Sequence, residues 1–114
     1  DPNDKAPAWT GVEYFFDFIT RQTPSPGPFG ISTTLSELEP GDFVQFRFNK
    51  DVFGHTPVVV EIGRPATLQN TLIAAHSYDA DWRPLSTYYF QEIRFLHIQG
   101  AYREIRGEEV LPSM

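Results

Sequence analysis

The sequence contains no cysteine. Disulfides and thiolate metal sites are therefore excluded, while the redox compartment stays undecided. Positive charge is also scarce. Nine Lys and Arg stand against fifteen Asp and Glu, for a net charge of −6. The basic residues are scattered, so no basic face is available for a phosphate backbone, and no nucleic-acid partner is expected. No apolar stretch approaches the ~20 residues of a membrane span. No signal peptide stands at the start. The chain opens on Asp1 rather than Met, which predicts a processed product or a cut fragment. No P-loop, no G-x-G-x-x-G and no G-x-S-x-G nucleophile elbow occurs.

What is present suffices for one small domain over residues 1–114, and the share of hydrophobic residues, 40%, predicts that it folds. In "APAWTGVEYFFDFIT", Thr10 and Glu13 have capping-box spacing, and Trp9 and Tyr14 are placed for a hydrophobic staple. Val12, Phe15, Phe16 and Ile19 form one stripe at helical spacing. A helix is predicted from about Thr10 to Gln22, followed by a Pro/Gly loop around Pro24, Pro26 and Pro28. Ser32, Thr33 and Thr34 are expected as exposed loop residues. Ser36 to Leu38 is expected to form a single helical turn.

From Asp42 the pattern alternates, with Val44, Phe46 and Phe48 on one face and Phe43, Gln45 and Arg47 on the other. A hairpin loop then leads into the β-branched run Thr56 to Ile62, with Pro57 marking an edge or bulge near its start. Further strands are predicted over Thr71 to Ser77 and Glu92 to Gln99, with Ala101 to Ile105 as a fifth. "YDADWRPLSTYYF" is expected as a long loop. The fold class is α+β: an N-terminal helix followed by a curled antiparallel sheet or small barrel of four to five strands.

Candidate chemistry centres on histidine, whose pKa suits a general base near neutrality. His55 follows Gly54 at the mouth of a strand, with rigid structure behind it and an open loop in front. The alternative is a turn histidine that only caps the hairpin. His76 closes the next predicted strand. If these strands pair antiparallel, the two histidines become neighbours, and His76 orients the His55 ring. Otherwise His76 packs beside Leu72 and Ala74. Asp79 is a second candidate orienter. His55, His76, Asp79 and Asp81 lack regular ligand spacing and make a weak metal signal; no metal and no cofactor is predicted. His97 shares a face with Ile93 and Phe95 and reads as a core or sheet histidine. Ser77 points away from the face of His76.

The runs "PGDFVQFRF", "GHTPVVVEI" and "LIAAHSYDADWRPLSTYYFQEIRFLHI", with the upstream "PAWTGVEYFFDFIT", resemble the bacterial putative amidase domain over about Trp9 to Tyr102. That family looks related to the papain-like cysteine hydrolases, including the NlpC-type and CHAP cell-wall enzymes. The resemblance implies a cysteine nucleophile on a helix that this sequence lacks, with His55 as base and His76 or Asp79 as its orienter. The chain then corresponds to the C-terminal portion of such a domain and is inactive alone. A peptide or peptidoglycan-type amide is implied as the substrate of the full-length protein, in a secreted or cell-envelope setting. The missing helix is expected to bare an apolar surface and favour a homodimer, with Trp9, Phe15 and Phe16 as contacts. Two other classes remain: a non-catalytic module that grips a peptide or glycan through Tyr78, Trp82, Tyr88 and Tyr89, and a structural domain in which both histidines only pack.

Overall fold

A computed structural model describes residues 11–49, 51–74 and 82–104. Among these residues, one helix, α1 (Gly11–Ile19), precedes six strands. These are β1 (Gly27–Thr33), β2 (Phe43–Arg47), β3 (Val58–Ile62), β4 (Thr71–Ala74), β5 (Arg83–Pro84) and β6 (Glu92–Tyr102). They form one antiparallel sheet in the order β1-β6-β2-β3-β4-β5. The sheet is curled but does not close, so β1 and β5 remain as its edges. The α+β class expected from the sequence is the one observed, with an open sheet rather than a barrel.

Helix α1 turns the predicted stripe inward, with Val12, Phe15 and Phe16 half-buried. Ile19 is fully buried, while Tyr14 and Phe18 on the far side are exposed. The helix stops at Ile19, three residues before the expected Gln22. The Arg21 side chain supplies the reason. Its guanidinium donates to the carbonyls of Phe18, Ser25, Gly27 (3.2 Å) and Pro28 (2.7 Å). A cation here satisfies a terminal helix carbonyl and fastens the proline-rich turn beneath it.

The expected loop over Ser32 and Thr33 is instead the end of strand β1, paired with β6. The prolines masked this strand. Pro28 is tolerated because β1 is an edge, hydrogen-bonded on one side only. A Cβ at Gly30 would stand 2.0 Å from the carbonyl oxygen of His97, so only glycine permits this close approach. The two strands predicted over Glu92–Gln99 and Ala101–Ile105 are one, β6, which runs through Gly100. Its partner register steps from Phe29↔Gly100 to Gly30↔Ile98, leaving Gln99 as the extra residue of a bulge.

The aromatic loop is also partly structured. Arg83 and Pro84 pair with Ile73 and Leu72, and a 3₁₀ turn over Leu85–Thr87 drives Leu85 into the core. The expected single turn near Ser36 is a 3₁₀ turn over Leu35–Glu37. The main core lies on the sheet face away from α1 and comprises Leu38, Val44, Phe46, Val59, Ile73 and Leu85. Burying one such side chain contributes about 1.5–3 kcal/mol.

Candidate functional site

His55 is positioned by the hairpin joining β2 to β3. The Phe46 N–H donates to the His55 carbonyl (3.0 Å), while the Gly54 N–H donates to the Phe46 carbonyl (2.9 Å). Two successive residues thus oppose one, which is the count of a β-bulge, a device that re-aims a side chain. Cross-strand partners share a face, and the rings confirm it. The His55 imidazole lies 6.2 Å from Phe46, centroid to centroid and 24° from parallel. Phe48 and Tyr88 are each 6.3 Å away.

Tyr88 is itself clamped. Phe46 stacks on it at 4.8 Å, and the Arg83 guanidinium lies 4.2 Å from its ring centre. Arg83 is held in turn by the hydroxyl (3.2 Å) and carbonyl (3.1 Å) of Thr87. His55 therefore meets a fixed aromatic wall. Its half-burial disfavours the imidazolium and lowers its pKa from 6.5. The ring is thus neutral at neutral pH and able to accept a proton. Among the described residues, no side chain hydrogen-bonds its ring nitrogens.

The opposite face of the same hairpin carries a polar junction that sequence reasoning missed. Gln45 is fully buried. Its amide nitrogen donates to the Val12 carbonyl (3.0 Å) and the Thr56 hydroxyl (3.0 Å), and its oxygen accepts from Arg94 Nε (2.7 Å). Arg94 Nη2 also donates to Glu13 Oε1 (3.1 Å), and Glu13 Oε2 accepts the Phe53 N–H (3.0 Å). The Arg94 guanidinium is sandwiched between Phe16 (3.7 Å) and Phe53 (3.8 Å). Phe15 meets Phe43 edge-on at 5.0 Å. Phe15 and Phe16, expected as partner contacts, thus pack within the chain. The junction locks α1 to the strands that flank His55. Its signal was a glutamine set between the apolar residues Val44 and Phe46 of β2.

His97 is more than a sheet histidine. Its Nδ1–H donates to Asp42 Oδ2 (2.8 Å). Asp42 is buried, and its carboxylate also accepts the Glu39 N–H (2.9 Å) and the Ile98 N–H (2.9 Å). The hydrogen bond to Asp42 raises the His97 pKa from 6.5, with Asp42, Glu39 and Glu37 adding charge attraction. Asp42 stands four residues before Phe46, roughly 13 Å along the strand at ~3.3 Å per residue. It is therefore too far away to orient His55. Gly41, at φ +96°, makes the turn that delivers Asp42 to the strand.

His76 and Asp79 lie outside the described residues, as do Thr10, Trp9 and Tyr78. The nearest described part of β4 is Ala74, which pairs with Val58, three residues after His55. No group of three or more metal-capable side chains occurs among the described residues. No helix among them is long and apolar enough to cross a membrane.

These observations define an α+β domain with one helix on an open antiparallel sheet and a neutral, half-buried histidine on the other face. Residues 1–98 match the family model described as "Putative amidase domain", and the chain belongs to that family. No curated protein and no solved structure matches it.

Proposed function

We propose that this chain carries the histidine part of a cysteine-dependent amide hydrolase, with His55 as the general base. The observation supporting this most directly is the state of His55: neutral, held by a bulged hairpin, and flanked by rigid rings. An imidazole in that setting takes the thiol proton, and the thiolate attacks the amide carbonyl carbon. Protonated His55 then gives the proton to the departing amine nitrogen as the C–N bond breaks. Water, deprotonated by His55, cleaves the thioester to a carboxylic acid and restores the thiol.

The sequence holds no cysteine, so the sulfur comes from a segment outside it, and the chain alone is inactive. This corresponds to the C-terminal portion of a papain-like domain related to the NlpC-type and CHAP enzymes. His76 or Asp79 orients His55 in the same proposal. Peptide or peptidoglycan-type amides are the substrate class, in a secreted or envelope setting.

The apolar surface that the cysteine-bearing helix would cover favours a homodimer of the isolated chain. Light scattering over a concentration series checks this; a mass fixed at one protomer throughout argues against it. The hydrolase proposal is tested by adding the cysteine-bearing segment in trans and following cleavage of a model amide. Restored cleavage that is lost on alkylating the thiol supports the proposal. Tight ligand binding without cleavage would instead favour the peptide- or glycan-binding alternative, which the exposed Trp82 and Tyr89 make worth testing.

A further inference from the structure

Beside His55 opens a cavity of about 480 Å³, lined by Phe48, Asn49, Tyr88, Tyr89, Phe90 and Gln91. Two of its walls, Phe48 and Tyr88, are the rings that flank the His55 imidazole. We infer that this cavity is the subsite for an uncharged aromatic or large aliphatic side chain of the substrate, next to the amide bond that His55 serves. The inference rests on the hydrolase proposal for the position of that bond, but not for the cavity's selectivity.

Three observations carry the inference. First, the described lining contains four aromatic rings and two primary amides, and among the described residues none that is ionised at neutral pH. A charged side chain would give up water there without meeting an opposite charge on the described lining, whereas an apolar one gains by burial. Second, the described cations nearby, Arg83 and Arg47, are engaged. Arg83 lies over Tyr88, and Arg47 donates to Glu92 Oε1 (3.0 Å) and to Gln91 Oε1 (3.0 Å). Third, the polar groups suit a peptide backbone. With its oxygen taken by Arg47, Gln91 offers an amide N–H₂, and Asn49 adds a second donor-acceptor group on the rim.

The ring stack sets the rigidity of this subsite. Phe46 supports Phe48 at 5.5 Å, Tyr88 at 4.8 Å and Phe90 at 5.4 Å, so three walls share one buried base. Tyr89 is 95% exposed. It is free to close over a bound side chain, and its ring area is the part that binding would bury.

The experiment uses the chain as it is, titrated with N-acetyl-phenylalanine amide, N-acetyl-aspartate amide, N-acetyl-lysine amide and N-acetylglucosamine, with backbone amide shifts read by NMR. The phenylalanine amide is expected to shift residues 48–49 and 88–91 and to bind about tenfold or more tightly than either charged amide. Tyr89→Ala, at a position too exposed to disturb folding, is expected to weaken it about tenfold. Preference for a charged amide or the sugar, equal binding of all four, shifts elsewhere, or no shifts at all would overturn the inference. The readout is binding, so a failed hydrolysis assay leaves it standing, and lost selectivity beside intact hydrolysis removes the subsite alone.

Discussion

His55 faces Phe46 across the β2–β3 hairpin, their rings 6.2 Å apart, while the next pair along, Thr56 and Gln45, is joined by a 3.0 Å hydrogen bond on the opposite face. One hairpin therefore separates two environments. An aromatic face holds a neutral imidazole, and a polar junction on the other face fixes the strands to α1. The properties of His55 follow from both.

The two described histidines are expected to titrate on opposite sides of 6.5. Burial lowers the pKa of His55, whereas the bond to Asp42 raises that of His97. Imidazole carbon-bound proton shifts followed by NMR across pH should assign the lower value to His55, with Asp42→Asn bringing His97 back toward 6.5. The reverse order would contradict the environments described above.

Stability should respond to these groups with opposite signs. The folded chain binds a proton at His97 more readily than the unfolded chain does. The contribution of His97 is therefore fully present below 6.5 and is lost as pH rises through its raised folded value. At His55 the unfolded chain binds the proton more readily, so stability falls as pH drops below 6.5 toward the lowered folded value. Urea midpoints of His97→Gln against the parent should differ more at about pH 5.5 than at about pH 8.5. His97 is part-exposed, so the gap stays small.

Gln45→Leu should destabilise the chain by about 2–4 kcal/mol. It removes three part-buried hydrogen bonds of a fully buried side chain and leaves the Val12 carbonyl and Arg94 Nε without that partner. Urea unfolding at unchanged m-value measures this. A loss below about 0.5 kcal/mol would mean that water replaces the amide at no cost.

Gly30→Ala should cost about 2–3 kcal/mol, because its Cβ collides with backbone rather than with a mobile side chain. Gly54→Ala, although it adjoins His55, meets nothing within 4 Å and should change stability by no more than about 0.5 kcal/mol. Thermal melts of the two variants side by side test the bulged β1–β6 contact.

The helix, the strands with clean alternation and the His55 hairpin were legible because their apolar period is local. Strand β1 was not. Its prolines and glycines spell a loop, and it becomes a strand only because β6 offers an edge. Gly100 looked like a break but is carried through β6 by the bulge at Gln99. Leu85 lay hidden in a polar-aromatic stretch, since a single buried leucine has no period. The Asp42–His97 pair joins residues 55 apart in sequence, which no local pattern reports. Alternation places Gln45 on a face, but its burial depends on α1 lying over it.

The central claim is that His55 moves the proton in amide hydrolysis. The direct measurement is the rate of cleavage of a model amide by the chain combined with its cysteine-bearing segment, for the parent and for His55→Ala. Loss of about 10²–10⁴-fold in kcat with binding retained is the expected result for a general base. Cleavage at the parental rate by the His55→Ala protein would contradict it.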